Sequence, residues 1–225
     1  MKFRHEYKYP ISYMDYLVLK QRLDAVAKQD PHTGEDGVYK IRSLYFDNFS
    51  DKALREKIDG VNRREKFRIR FYNGDDSVIN LEKKSKVNGL CSKVSVSITR
   101  AETEKIIAGD LEWMSGCADR PLLMELYTKM KNELLRPKTI VDYQRRPYVF
   151  QPGNVRVTID YNIRTGLMNS QIFEDSTATI PAGDTTILLE VKYDAFLPQV
   201  MADILQLESR RSQAFSKYAA CRIYG

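Results

Sequence analysis

Residues Lys66 to Thr99 read KFRIRFYNGDDSVINLEKKSKVNGLCSKVSVSIT, and this stretch carries the strongest pattern in the chain. Apolar and polar residues alternate along three segments of it, which is the pattern of β-strands that bury one face. In the first segment Phe67 and Ile69 lie on one face, and Arg68 and Arg70 lie on the other. The stretch therefore predicts three consecutive strands, each with one apolar face and one ionic face.

Two short turns separate these three segments. Asn73-Gly74-Asp75-Asp76 connects the first two segments, and Asn88-Gly89 connects the second to the third. Asn and Gly tolerate the positive φ angles that tight hairpin turns require. We therefore predict that the three strands form two successive antiparallel hairpins.

The ionic faces carry acids and bases at alternating positions, as in Glu82 and Lys84. One interpretation is an ordinary antiparallel sheet with one face in water, where such residues form cross-strand ion pairs of little energetic value. The other is a sheet that closes with its ionic face inward. Because unpaired buried charges are costly, the lumen of such a sheet must hold water, a metal or a polyanion.

Length and charge limit the classes of protein to consider. A chain of 225 residues suits one domain with a substantial core, so we expect residues 1–225 to form a single domain. The net charge is +6, with 36 basic and 30 acidic residues. This moderate excess suits an anionic ligand, and no nucleic acid partner is expected.

The sequence also limits the cellular compartment and the kinds of metal that the protein is expected to bind. No apolar run approaches the roughly 20 residues that span a bilayer, and the N-terminus lacks the apolar core of a signal peptide, so we expect a cytoplasmic protein. Three widely spaced cysteines without a CxxC motif indicate free thiols. Only two histidines, His5 and His32, are present, which excludes most zinc sites. A bound metal should therefore be a hard, oxygen-liganded ion such as Mg²⁺ or Mn²⁺.

The two-faced alternation recurs in residues 2–10, 154–162 and 185–193. Capping boxes that begin at Ser12 and Thr99 predict helices between the strands. The strands number about eight and are mostly antiparallel, with helices on their apolar side. The fold prediction is α+β: an eight-stranded antiparallel β-barrel tunnel with a charged lumen and helices packed on the outside.

The ionic faces together carry more bases than acids. The forked guanidinium group of Arg and the compact charge of Lys both suit phosphate oxygens. A few carboxylates can hold one or two divalent ions. Phosphoryl transfer requires mainly the positioning of the phosphates and the stabilisation of charge. The facing of two further candidates, Arg145 and Lys217, is not settled by periodicity. The residues on ionic faces are the bases Lys8, Arg68, Arg70, Lys84, Lys93, Arg156 and Lys192 and the acids Glu6, Glu82, Asp160 and Glu190.

Nine short elements in a fixed order carry a family resemblance. They are Glu6-Tyr7-Lys8-Tyr9, Ser43-Leu44-Tyr45-Phe46-Asp47, Arg68-Ile69-Arg70-Phe71-Tyr72, Glu82-Lys83-Lys84, Lys93, Tyr143-Gln144-Arg145, Arg156 to Asp160, Leu189-Glu190-Val191-Lys192 and Phe215-Ser216-Lys217-Tyr218. No single element is specific, but the ordered set spans nearly the whole chain. It resembles the catalytic domain of vacuolar transporter chaperone (VTC) proteins, which are polyphosphate polymerases of the triphosphate tunnel metalloenzyme superfamily.

The resemblance implies an ATP-dependent polyphosphate polymerase that transfers the γ-phosphoryl group of ATP to a growing polyphosphate chain, with Mn²⁺ or Mg²⁺ as cofactor. It also implies a role for each matching residue. The catalytic residues would be Lys8, Arg68, Arg70, Lys192 and Lys217; the further phosphate-binding residues Lys84, Lys93, Arg145, Arg156 and Ser216; and the metal ligand Glu190, with Glu6, Glu82 and Asp160 as additional candidates.

The sequence departs from the family at two points. The first strand, Arg4-His5-Glu6-Tyr7-Lys8, lacks the second glutamate of the superfamily signature, so a two-metal hydrolase site is less expected. The chain begins directly at the tunnel domain, so we expect no SPX phosphate-sensing domain. Export of the product would then need a separate membrane protein, which could also hold the chain at the inner face of a membrane.

Two other functions stay open. The same tunnel could admit water in place of a phosphate acceptor, which would make the protein a metal-dependent triphosphatase acting on inorganic triphosphate or nucleoside triphosphates. It could also be a polyphosphate-binding module without catalytic activity.

Overall fold

The computed structural model describes residues 4–31, 33–174, 176–183, 186–206 and 209–223, so His32 and the ends of some predicted elements lie outside it. Within these residues there are ten strands and six α-helices. The strands are β1 (His5–Ile11), β2 (Lys28–Gln29), β3 (Tyr39–Asp47), β4 (Arg63–Tyr72), β5 (Asp75–Val87), β6 (Leu90–Ile98), β7 (Arg136–Phe150), β8 (Val155–Thr165), β9 (Ile180–Pro181) and β10 (Ile187–Tyr193). The helices are α1 (Tyr13–Val26), α2 (Lys52–Ile58), α3 (Arg100–Ala108), α4 (Pro121–Asn132), α5 (Gln199–Leu205) and α6 (Lys217–Cys221).

Eight of the strands form one curved sheet in the order β1-β10-β8-β7-β3-β4-β5-β6, and each neighbouring pair is antiparallel. The short strands β2 and β9 pair with β7 and β8. The two edges of the sheet meet at one backbone bridge, between Arg4 and Cys91. The predicted α+β fold with eight antiparallel strands is confirmed, although the described residues form a single bridge at its seam rather than a continuous ladder.

The two predicted hairpins join β4, β5 and β6. Asn73 and Gly74 have φ angles of 55° and 73°, and Asn88 and Gly89 have φ angles of 49° and 84°. Two consecutive residues with positive φ make the type I′ turn that matches the twist of hairpin strands. The pairing of β4 with β5 is irregular between Arg70 and Tyr72. Beyond that point Lys66 lies opposite Lys84 and Arg68 opposite Glu82, so the ionic faces of the two strands point the same way.

Helices cover the apolar outer face of the sheet in two places. On β3 to β6, α3 and α4 contribute Ile106 and Leu126 to a cluster with Ile69 of β4. A second cluster covers β1, β8 and β10, and it includes Leu23 of α1 and Met201 of α5. All these side chains are fully buried, and burying each contributes about 1.5–3 kcal/mol.

Both predicted capping boxes are formed. The Ser12 hydroxyl accepts a hydrogen bond from the Asp15 backbone N–H at the start of α1. The Thr99 hydroxyl does the same for the Glu102 N–H at the start of α3. These caps satisfy N–H groups that a helix leaves without internal partners, so each helix begins where the sequence indicates.

The last helix, α6, packs against the inner face of the sheet. Tyr218 stacks on Tyr45 with ring centroids 5.1 Å apart, and its hydroxyl donates to Asp47 at 2.6 Å. Both tyrosines belong to a third buried cluster, together with Tyr143 of β7. The position of α6 therefore brings its first residue, Lys217, and the two residues before it, Phe215 and Ser216, to the cavity inside the sheet.

Across the described part of the chain, the helices are all too short or too polar to cross a membrane.

Candidate functional site

A cavity of about 350 Å³ lies inside the curved sheet, and we call it the lumen. Among the described residues, eleven Arg and Lys side chains and two carboxylates line its wall. These are Arg4, Lys8, Lys66, Arg68, Arg70, Lys84, Lys93, Arg145, Arg156, Lys192 and Lys217, with Glu6 and Glu190. The seven cations predicted on the ionic faces all line this cavity, and so do the two further candidates, Arg145 and Lys217. Ser216 lines it as well.

The period-2 alternation of the strands explains which side chains face the lumen. On β4, Arg68 and Arg70 point inward while Phe67 and Ile69 are buried in the outer core. On β7, Arg145 also lines the lumen, which settles a facing that periodicity left open.

Glu82 lies behind the lumen wall and holds three cations. It accepts hydrogen bonds from Arg68 at 2.7 Å and from Lys93 at 2.8 Å, and Arg70 lies 3.8 Å away. Burial raises the pKa of the Glu82 carboxyl, but the attraction of the three cations outweighs burial and holds this pKa well below its usual range. Arg70 also donates to the Tyr143 hydroxyl at 2.9 Å. These contacts fix both guanidinium groups of β4.

Glu6 and Glu190 form a second ionic group with three lysines. Lys192 lies 2.8 Å from Glu190 and 3.6 Å from Glu6, and Glu6 also pairs with Lys84 at 2.7 Å and with Lys8 at 3.1 Å. Burial and the neighbouring Glu190 raise the pKa of Glu6, yet the three lysines prevail and lower it to about 2. Burial likewise raises the pKa of Glu190, and its lysine neighbours bring it well below the usual value. Both carboxylates are therefore ionised at neutral pH.

Asp160 anchors a third group. It is fully buried and accepts two hydrogen bonds from the Arg145 guanidinium, at 2.6 and 2.7 Å, and lies 2.6 Å from the Lys217 ammonium. Burial raises the pKa of Asp160, but these two cations lower it overall. Arg156 is held separately, by Asp30 at 2.9 Å. Asp160 is thus placed to orient Arg145 and Lys217.

The residues of the lumen that the analysis of the sequence missed include Lys66 and Tyr45. Lys66 is in phase with Arg68, so extending the same alternation by two residues would have identified it. Its ammonium donates to the Ser216 hydroxyl at 3.2 Å, and no described carboxylate lies within ion-pair distance of it. Burial and nearby cations lower the pKa of Lys66 to about 7 although Tyr45 opposes this. Burial raises the pKa of Tyr45, but Arg68 and the other cations lower it to about 7.

Whether the lumen suits a divalent metal depends on the carboxylates that could coordinate one. In the described part of the chain, no three His, Cys, Asp or Glu side chains form a metal-binding group. Glu6 and Glu190 line the lumen on either side of the Lys192 ammonium, and Glu6 also pairs with Lys84 and Lys8. Glu82 and Asp160 lie outside the lining of the lumen. Mg²⁺ is usually held by one or two carboxylates together with water and substrate phosphates. The donor set of Glu6 and Glu190 fits that arrangement.

Comparison with known families identifies the chain. The sequence profile of the VTC domain matches residues 3–223. The chain belongs to the VTC domain family. This confirms the resemblance found in the sequence. No curated protein sequence matches this VTC domain significantly.

Solved structures show the same fold as this VTC domain. HpAC1 from Hippeastrum, described as a proposed adenylyl cyclase with a dominant triphosphatase activity, superimposes with a TM-score of 0.61 at 14% identity, covering 98% of this chain and 95% of HpAC1. A proposed adenylate cyclase from Bacillus halodurans gives 0.51 at 13% identity, covering 92% and 87%. PH1012 from Pyrococcus horikoshii OT3 gives 0.51 at 12% identity, covering 95% and 96%. At these identities the likeness shows a shared fold.

Proposed function

We propose that this VTC domain is an ATP-dependent polyphosphate polymerase. The observation that carries the proposal is the charge of the lumen, where eleven cationic side chains and two carboxylates of the described residues converge on about 350 Å³. Because so many like charges repel one another, the lumen favours a ligand with several negative charges in a row. A triphosphate and a polyphosphate chain both have this character.

In the proposed reaction, a terminal oxygen of the polyphosphate attacks the γ-phosphorus of ATP in line. A new P–O bond forms as the bond from the γ-phosphorus to the β–γ bridging oxygen breaks, and ADP leaves with that oxygen and the electron pair. The attacking group is already an oxyanion, so it needs little help from a base. The protein's part is to position the phosphates and to stabilise charge in the transition state.

Five residues are assigned the catalytic role. Arg68 and Arg70 present guanidinium groups that Glu82 and Tyr143 hold in place, and such forks suit bidentate phosphate contacts. Lysines supply compact charges around the transferred group. These lysines are Lys8, Lys192 and Lys217.

Four further cations of the lumen and Ser216 are assigned to binding the phosphates that do not react. Ser216 can contribute a hydrogen bond of its own, because its hydroxyl accepts from Lys66 and from the Ala219 N–H and keeps its hydrogen free to donate. The other residues in this group are Lys84, Lys93, Arg145 and Arg156.

Glu190, with Glu6 beside it, would hold Mn²⁺ or Mg²⁺ together with phosphate oxygens. Such an ion supplies neutralisation of phosphate charge when it is bound. Glu82 and Asp160 are assigned instead to orienting cations, because neither lines the lumen and their oxygens accept hydrogen bonds from Arg68 and Arg145.

A metal-dependent triphosphatase is the second candidate. The described activity of HpAC1, which shares the fold, is what favours it. The same residues would bind the triphosphate, and water would replace the polyphosphate as the group that attacks phosphorus. A cytoplasmic location, a single domain over residues 1–225 and a membrane partner for export stay predictions from the sequence.

The deciding experiment is to incubate the protein with γ-labelled ATP, a short polyphosphate primer and Mn²⁺ or Mg²⁺, and to resolve the products on a gel. A ladder that Arg70→Ala and Glu190→Gln abolish, and that Arg42→Ala on the outer face of β3 retains, supports the polymerase. Labelled orthophosphate without a ladder indicates the triphosphatase. Binding of polyphosphate with no turnover would leave a binding module and contradict both enzymes.

A further inference from the structure

A second cavity, of about 240 Å³, adjoins the lumen and shares part of its wall, including Lys8, Lys66 and Ser216. Its remaining wall brings together Lys57 of α2, Arg64 of β4, Lys86 of β5 and residues 212–214 of the segment before α6. We call this remaining part the vestibule. Its cations come from three different elements, so only the folded chain brings them together.

The vestibule cations differ from most lumen cations in their partners. The Lys57 ammonium contacts the Ala214 carbonyl oxygen at 3.4 Å, and the Arg64 guanidinium donates to the Val61 carbonyl. Among the described residues, no carboxylate lies within ion-pair distance of Lys57, Arg64 or Lys86. In contrast, the lumen lysines other than Lys66 each have a carboxylate partner.

Two carboxylates do line the second cavity, but both are engaged elsewhere. Glu6 pairs with lumen lysines, and Glu65 pairs with Lys129 of α4 at 2.8 Å. The vestibule cations therefore repel one another without local compensation. Burial lowers the pKa of Lys57, and Arg64, Lys8 and Lys86 lower it further, in agreement with this repulsion. An anion in the vestibule would relieve it.

We propose that the vestibule binds the distal phosphates of a polyphosphate chain whose terminal phosphates lie in the lumen. This rests on the proposed function only in taking polyphosphate as the ligand of the lumen. A triphosphate ends within the lumen, whereas a longer chain reaches Lys57, Arg64 and Lys86. The vestibule thus gives the site a preference for long chains.

An inorganic chain fits the vestibule better than a single-stranded nucleic acid. Single strands are held by a basic groove together with aromatic side chains on which successive bases stack. The second cavity has two aromatic side chains, Tyr7 and Phe215, among its described lining residues. Phe215 packs against the third apolar cluster, and Tyr7 stacks on Tyr193, so these two rings do not form a row on which successive bases could stack.

The test is calorimetric binding of tripolyphosphate and of long polyphosphate, without metal, to three proteins. These are the wild type, a vestibule variant and a control variant. The control replaces three exposed cations, of which two lie away from both cavities and one lies on the opposite face of β4. The vestibule variant is Lys57→Ala with Arg64→Ala and Lys86→Ala, and the control is Lys28→Ala with Arg63→Ala and Lys105→Ala.

For the vestibule variant we expect an affinity for long polyphosphate about tenfold lower, since each exposed ionic contact is modest. When the logarithm of the association constant for long polyphosphate is plotted against the logarithm of the salt concentration, the slope should become shallower by about 2, because three phosphate contacts are lost. Affinity for tripolyphosphate should stay within about twofold, and the control variant should match the wild type. This combination would support the proposal.

Three results would overturn it: no loss of long-chain affinity, an equal loss for both phosphates, or an equal loss in the control variant. A single-stranded DNA that binds as tightly as polyphosphate, with the same dependence on the vestibule, would also overturn it in favour of nucleic acid. The outcome is independent of turnover. Vestibule-dependent binding without a product ladder would retain this proposal and reject the polymerase, and a ladder without vestibule dependence would do the reverse.

Discussion

Asp160 and Lys217 form an ion pair of 2.6 Å that fastens α6 to β8 inside the lumen. The same carboxylate accepts two hydrogen bonds from Arg145 of β7, and it is fully buried. One acid therefore sets the positions of two cations that come from different elements. Without it, the Lys217 ammonium would lose its ion-pair partner, and Arg145 would keep only Glu190 among the described carboxylates, at 3.7 Å.

Replacing Asp160 with Asn should destabilise the protein strongly. Removing one partner of a buried ion pair costs about 3–5 kcal/mol, because the other charges stay buried without compensation. Urea unfolding should show this loss in phosphate-free buffer, and tripolyphosphate should restore more stability to the variant than to the wild type. Asp76→Asn is the control, since Asp76 pairs with the exposed Arg100. Equal stability of the two variants would contradict this account of Asp160.

Arg70→Ala should weaken tripolyphosphate binding by about tenfold or more, because a hydrogen bond to a charged group contributes about 1.5–3 kcal/mol. Isothermal titration at fixed salt measures the effect. Arg42→Ala is the matched control. Arg42 lies on neighbouring β3 but binds Asp142, at 3.0 and 2.9 Å, away from the lumen wall. Its loss should lower stability and leave phosphate affinity unchanged, so a similar loss of affinity in both variants would argue against the lumen as the binding site.

Glu190→Gln should abolish metal-dependent turnover and keep or raise the affinity for tripolyphosphate in the absence of metal. The carboxylate is assigned to the metal, and its negative charge opposes phosphate when no metal is bound. Product gels and metal-free titrations measure the two effects separately. Glu125→Gln, which removes an ion pair with Lys83 on the outside of the sheet, is the control. A Glu190 variant with full turnover would remove this residue from the metal site.

The affinity of the lumen for tripolyphosphate should fall as pH rises through about 7. Lys66 and Tyr45 have pKa values of about 7. Above that pH Lys66 loses its positive charge and Tyr45 gains a negative one, so the lumen attracts anions less. Tripolyphosphate itself gains charge over this range, which is why the comparison must be made between variants.

The variants Lys66→Gln and Tyr45→Phe each remove one of these titrations. Dissociation constants measured at about pH 6 and about pH 8 should therefore change less in either variant than in the wild type. Lys93→Gln removes a lumen cation whose ammonium is paired with Glu82, and it should leave the dependence on pH as in the wild type. Identical pH profiles in all four proteins would show that the two groups do not titrate near neutrality.

Much of the fold was predictable from local sequence. Alternation places Arg68 and Arg70 on one face whatever the rest of the chain does, because a strand repeats every two residues. Asn73-Gly74 sets a hairpin because these residues adopt positive φ cheaply, and the capping box at Ser12 marks a helix start for an equally local reason. The ordered set of such elements was also sufficient to indicate the VTC domain family, which the match over residues 3–223 confirms.

The site was predictable as a list of residues but not as a set of partners. Periodicity left the facing of Arg145 and Lys217 open, and it gave no reason to assign Glu82 and Asp160 to cations rather than to a metal. The contacts of Lys84 with Glu6 join residues 78 positions apart in the chain. Such pairs depend on strand order and on the curvature that brings β1 to β5.

Local sequence was thus sufficient to predict the strands, their turns, the helix starts and the excess of cations on one face, because each of these follows from neighbours along the chain. The folded structure was needed to show which charges neutralise one another, that Lys66 has no carboxylate partner among the described residues, and how Lys57, Arg64 and Lys86 meet beside the lumen. The physical reason is distance. Electrostatic interactions act through space over a few ångströms, and the residues that come that close are set by the closure of the sheet rather than by their spacing in sequence.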